Sequence, residues 1–130
     1  MDFPSDLKYT KDHEWISKVT NGIALVGISA YAVEHLGDIV NVELPDVGLT
    51  KTKGESVSTI ESTKTVSDVY LPIDGKIVEI NKELTKDPEI LQNDPYKKGW
   101  LFKLEVKGSL DSAGLYDATA YKKYVLELDH

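Results

Sequence analysis

Cysteine is absent from the 130 residues, which excludes a disulfide framework, a thiolate zinc site and a cysteine nucleophile. Methionine occurs once, as Met1, and histidine three times, at His13, His35 and His130. Those histidines show neither metal-ligand spacing nor an HExxH pair, so no zinc or iron centre is nominated. Basic residues are outnumbered, 15 against 22 acidic ones, for a net charge of −7. A negative field of that size repels phosphate backbones and anionic lipid, and steers the chain toward basic patches on other proteins. Neither nucleic acid nor a membrane is expected as a partner.

Long apolar runs are missing too. The longest, "IALVGI" over Ile23 to Ile28, is far too short to span a bilayer. The opening "MDFPSDLKY" has no basic n-region, apolar h-region or Arg-rich amphipathic character. The expected location is cytoplasmic, or mitochondrial if a transit peptide has been removed. No glycine cluster forms a phosphate cradle. Aromatic residues are few, and Trp15 and Trp100 read as core or cleft-wall residues rather than stacking platforms.

What is present is β pattern. Runs rich in Val and Ile alternate with Gly22, Gly27, Gly37, Gly48, Gly54, Gly75 and Gly99, read as turn positions. A 41% apolar content over this length suits one domain, residues 1–130, with a C-terminal helical extension over about 109–130. One helix interrupts the strands: Ser29 is a candidate N-cap for "AYAVEHL", Ile28 and Val33 have the spacing of a hydrophobic staple, and Gly37 closes the end. Asp87 reads as an N-cap and Pro88 as a first-turn proline for a further one or two turns through Leu91, which Pro95 stops. From Asp117, Tyr121, Tyr124, Val125 and Leu128 fall at helical spacing. An internal echo links "GDIVNV" (Gly37 to Val42) to "GKIVEI" (Gly75 to Ile80).

Between those echoes, "ESVSTIES" and "TVSDVYLP" read as two strands joined near Thr63-Lys64, with Lys64 at or beside the hairpin tip. Most lysines at exposed turns are only solvated charges. Such a tip nevertheless presents an ε-amine on a flexible stem to a modifying enzyme.

Four ordered blocks carry a resemblance: "YTKDHEW" (Tyr9 to Trp15), "GISAYAVEHLGDIVNVELPDVG" (Gly27 to Gly48), "ESTKTVSDVYLPIDG" (Glu61 to Gly75) and "NDPYKKGWLF" (Asn93 to Phe102). Together they resemble the H-protein of the glycine cleavage system, a family of lipoyl carriers. The resemblance implies a mainly β barrel-sandwich hybrid with a short helix near residues 29–36 and a C-terminal helix. It also implies a non-catalytic monomer with lipoate amide-linked to Lys64. By the same resemblance Glu61, Ser62, Thr63 and Thr65 form the hairpin that a lipoate ligase or octanoyltransferase recognises. Thr63 and Thr65 stand where members commonly have Val and Ala. Glu14 and Asp68 match family positions at which the arm docks, and His35 lies on the helix that would border that cleft. The bland readings are a solvated charge for Glu14, outer-face decoration for Asp68 and a surface-helix histidine for His35.

The cycle implied runs from a pyridoxal-phosphate glycine decarboxylase (P-protein), which loads an aminomethyl group on the arm, to a tetrahydrofolate-dependent aminomethyltransferase (T-protein). A dihydrolipoyl dehydrogenase (L-protein) then reoxidises the dithiol. Two other readings stand beside it: a relay donor for lipoylation of 2-oxoacid dehydrogenase subunits, and a hydrolytic enzyme using Glu61 and Asp68 as acid and base. The missing methionines beside Lys64 argue against a biotin carrier.

Overall fold

Alternating burial sets the strands, and local capping sets the helices. The computed structural model describes residues 2–110 and 113–128, so His130 and part of the expected 109–130 extension lie outside the described residues. In chain order the elements are β1 (Lys8–Tyr9), β2 (Glu14–Ile16), β3 (Ile23–Ile28), α1 (Ala30–Leu36), β4 (Ile39–Glu43), β5 (Thr50–Lys51), β6 (Ser56–Ser62) and β7 (Val66–Tyr70). There follow β8 (Gly75–Ile80), the short turns α2 (Glu83–Lys86) and α3 (Glu89–Asn93), β9 (Phe102–Glu105) and α4 (Ala118–Leu128).

Every strand pairing is antiparallel. Six strands form one sheet in the order β1-β2-β3-β9-β8-β5, and three form a second in the order β4-β6-β7. The expected mainly β sandwich is present, with helices at both expected places; among the described residues neither sheet closes into a barrel. Ile16, Val26 and Phe102 from the larger sheet share one core with Ile60 and Val69 from the smaller, all at most 1% exposed. No helix among the described residues is long and apolar enough to cross a membrane.

Helix α1 forms where its local signals put it. The Ser29 hydroxyl oxygen accepts the Ala32 N–H, and Gly37, at φ 80°, returns its N–H to the Val33 carbonyl. At α4, Asp117 Oδ1 accepts the Ala120 N–H at 2.8 Å, and Tyr121 and Val125 are buried. Leu128, expected on that face, is 47% exposed; β1, against which the helix packs, is only two residues long. α3 is present, but its capping position is Pro88 with no side-chain cap, so Asp87 does not play the expected role.

Two glycines are not turn residues. Gly27 lies within β3 opposite Trp15, and a Cβ there would stand 2.6 Å from the indole ring. Gly75 opens β8, and a Cβ there would meet Glu105 O and Leu104 at 2.7 Å. Their reason is close approach from a neighbouring strand rather than turn geometry. The sequence echo reappears as a shared irregularity: the register of β4 slips between Ile39 and Asn41, and that of β8 between Ile77 and Glu79. Val40 and Val78 thus occupy equivalent bulged places, one in each sheet.

Candidate functional site

The β6–β7 hairpin turns through Ser62, Thr63, Lys64 and Thr65. The organiser is Ser62, 5% exposed, whose Oγ accepts the N–H groups of both Lys64 and Thr65 at 3.2 Å. Its own N–H donates to Thr65 O at 2.8 Å. From outside the hairpin, Thr63 N–H donates to the Asp38 carbonyl at 3.0 Å. The loop carrying Asp38 is braced in turn by Gln92 of α3, whose Oε1 accepts the Ile39 N–H at 3.1 Å. Lys64 is exposed on this fixed turn. Its stem passes over Gly37, where an added Cβ would lie 3.0 Å from Lys64 Cε.

Directly after Lys64, Thr65 and Val66 enter the lining of a cleft of about 350 Å³. Its walls combine apolar Ile28, Leu36, Ile60 and Val69 with Asp12, His13, Glu14, Tyr31, His35 and Asp68. Glu14, His35 and Asp68, nominated from sequence, are therefore brought together on one concavity. Glu61 is exposed on β6, opposite Val66, and does not line that cleft. An acid and base pair of Glu61 and Asp68 thus shares no pocket. A larger groove of about 800 Å³, lined in part by Lys8, Lys18 and Leu110, contains none of the nominated residues.

Glu14 is no solvated charge: it is 2% exposed. Oε1 accepts the Thr10 hydroxyl at 2.6 Å and Oε2 the Tyr70 N–H at 3.3 Å. Burial pushes its pKa up to about 7; the Thr10 and Tyr70 hydrogen bonds oppose that rise, and the Asp12 charge adds to it. A carboxyl poised there can hold or release a proton near neutrality. Asp68 is exposed and accepts the Ser56 hydroxyl at 2.9 Å across the hairpin. His35 is an exposed helix residue whose Nδ1 lies 3.1 Å from the Tyr31 carbonyl oxygen, its ring 4.1 Å from that of Tyr31.

Sequence reasoning missed Asp12, His13 and Tyr31. His13 takes φ 75°, a left-handed conformation uncommon away from glycine. Its Nδ1 lies 2.8 Å from the Tyr121 hydroxyl, 108 residues away, and burial holds its pKa below the usual histidine range. No local pattern announces a contact of that span.

An aliphatic arm ending in a sulfur pair fits what this site offers: an exposed acceptor amine, a largely apolar channel beginning at the next residue, and a buried acid on its wall. The model of the family described as glycine cleavage H-protein matches residues 7–128. The glycine cleavage system H protein of Anaeromyxobacter sp. (strain K) is 46% identical over 127 residues, 98% of each chain. That of Thermobifida fusca is 54% identical over 106 residues, 82% of this chain and 83% of the relative. Among solved structures, the crystal structure of a glycine cleavage system H protein from Mycobacterium marinum superposes with a TM-score of 0.85 at 41% identity. It covers 98% of this chain and all of that one.

Proposed function

We propose that this chain, which belongs to the glycine cleavage H-protein family, acts as its lipoyl carrier, with lipoate amide-linked to Lys64. One observation carries the assignment: a lone exposed lysine sits on a turn held by a buried serine, and the residues after it form the wall of a cleft with a buried acid. When bound, the lipoyl group supplies a dithiolane that takes up the one-carbon amine of glycine and carries it between separate active sites.

The chain's own residues do the rest. Ser62 and Asp38 fix the backbone of the turn, so that the lysine is offered in one orientation while its side chain keeps its freedom. Tethering raises the effective concentration of the cargo without tight association, which suits a small non-catalytic carrier with short-lived interfaces. Ile28, Leu36, Ile60 and Val69 supply apolar wall from which water is excluded. Glu14 is the proton-holding group: a cationic amine arriving beside it favours the carboxylate, so docking of cargo releases the Glu14 proton. Asp68, at the rim, adds a second negative charge. The partners of this reading are glycine decarboxylase, the aminomethyltransferase, dihydrolipoyl dehydrogenase and the enzyme that attaches lipoate.

The test is to incubate the full chain with lipoate, ATP and a lipoate ligase and to map added mass by intact and peptide mass spectrometry. A single lipoyl addition confined to the peptide containing Lys64, and lost in Lys64→Arg without loss of fold, is expected. Modification elsewhere, or glycine-cleavage activity in Lys64→Arg, refutes the assignment.

A further inference from the structure

Behind the cleft, one buried hydroxyl joins its two walls. Tyr121 of α4 is fully buried, and its Oη lies 2.8 Å from His13 Nδ1 and 2.7 Å from Ser29 Oγ. His13 immediately precedes Glu14. Ser29 caps α1, which carries Tyr31 and His35. The same two residues are also joined through the backbone, since Ser29 N–H donates to the His13 carbonyl at 2.9 Å. The left-handed φ of His13 persists because its surroundings over-determine it. Its N–H bonds Thr10 O at 3.1 Å, its carbonyl takes Ser29 N–H, and its ring lies 4.6 Å from that of Tyr31.

The protons of this relay have a consistent order. Ser29 Oγ accepts the Ala32 N–H as helix cap, and Tyr121 Oη is the oxygen within reach of its own proton, so the order that leaves no donor of the three unpaired sends the Ser29 proton to Tyr121 Oη. The Tyr121 proton then goes to His13 Nδ1, and the neutral imidazole carries its proton on Nε2. Burial supports the assignment by keeping the phenol protonated and the imidazole neutral.

We propose that Tyr121 is a positioning residue of the cleft: acting through Ser29 and His13, its hydroxyl holds the two walls together and fixes His13 in its Nε2–H form. The C-terminal helix is thereby part of the carrier's working surface. Only the functional readout rests on the lipoyl-carrier reading.

The first measurement needs no variant. Nitrogen NMR of the unmodified full chain at about pH 8, above the ordinary histidine pKa, should show His13 with an unprotonated Nδ1 and a protonated Nε2; the opposite tautomer overturns the proposal. Tyr121→Phe keeps the ring stacked on Tyr9, 4.6 Å away, and removes only the hydroxyl. The single-tautomer signature of His13 should be lost, and ammonia release from the glycine-loaded carrier should rise about five- to tenfold, as expected for buried partners left unsatisfied. Lipoyl addition should keep its wild-type rate, because Ser62 and Asp38 hold that turn. Tyr124→Phe, on the same helix as Tyr121, removes a 3.0 Å bond to the Lys11 carbonyl and should change neither reading. Wild-type values in Tyr121→Phe, or equal changes in Tyr124→Phe, overturn the proposal. Failure of a ligase to modify the wild-type chain at Lys64 instead overturns the carrier reading and leaves the tautomer result standing.

Discussion

Replacing Glu14 by Gln should change how folding stability depends on pH. In the folded chain burial raises this carboxyl from 4.5 to about 7. Its folded-state pKa is thus above the unfolded one, and the stability linked to it is complete below 4.5 and lost as pH rises through about 7. Over that interval the unfolded chain gives up its proton while the folded chain keeps it. At about 1.4 kcal/mol per pH unit, the loss is roughly 3 kcal/mol by pH 8. Glutamine can accept the Tyr70 N–H through its amide oxygen and has no proton to lose; its amide nitrogen then faces the Thr10 hydroxyl, whose oxygen already takes the Asp12 and Glu14 N–H groups, so the variant carries a pH-independent loss that offsets its curve without giving it a slope. Urea unfolding from about pH 4 to pH 9 supplies the comparison. The wild-type curve should fall relative to that of Glu14→Gln by roughly 3 kcal/mol between pH 4.5 and 8 and then run parallel to it. Parallel curves across the whole range would refute the reasoning, because they would mean that Glu14 ionises as freely in the folded chain as in the unfolded one.

Gly27→Ala drives a Cβ to 2.6 Å from Trp15, whose indole N–H is committed to Pro95 O at 3.1 Å and whose side chain is 1% exposed. A loss of about 1–3 kcal/mol is expected in thermal unfolding, and an unchanged melting temperature would show that the indole yields. Ser62→Ala leaves the N–H groups of Lys64 and Thr65 without their acceptor. It should cost about 1 kcal/mol in stability and lower kcat/KM for lipoylation severalfold, which a ligase assay with wild-type kinetics would contradict. Asp68→Ala should leave modification intact and shorten the lifetime of the loaded carrier; an unchanged release of formaldehyde and ammonia would remove Asp68 from the sheltering role.

How much of this was legible depended on how far apart the determining residues lie. Helix α1 could be read directly because Ser29, Val33 and Gly37 write its beginning and end within nine residues. The hairpin at Lys64 was equally local. Gly27 and Gly75 were misread as turns because their cause is Trp15 in one case and Leu104 in the other, on neighbouring strands that no window contains. The insertion of β9 between β3 and β8 is likewise invisible to periodicity, which reports a face but not a neighbour. The same boundary runs through the site. Lys64 could be read locally as an exposed hairpin-tip amine and by family resemblance as the acceptor, Asp68 could be nominated by that resemblance and His35 by its place on the neighbouring helix, yet the burial of Glu14 could not, since "DHEW" reads locally as polar. One of the carboxyl oxygens is met by the Tyr70 N–H from 56 residues away, and His13 beside it is held by Tyr121 at nearly twice that separation. Sequence therefore exposed the part of the carrier that must be reached by other proteins, which is local and solvent-facing. The part that must exclude water is assembled from distant segments, because only their convergence can bury a carboxyl beside a channel and still satisfy both its oxygens.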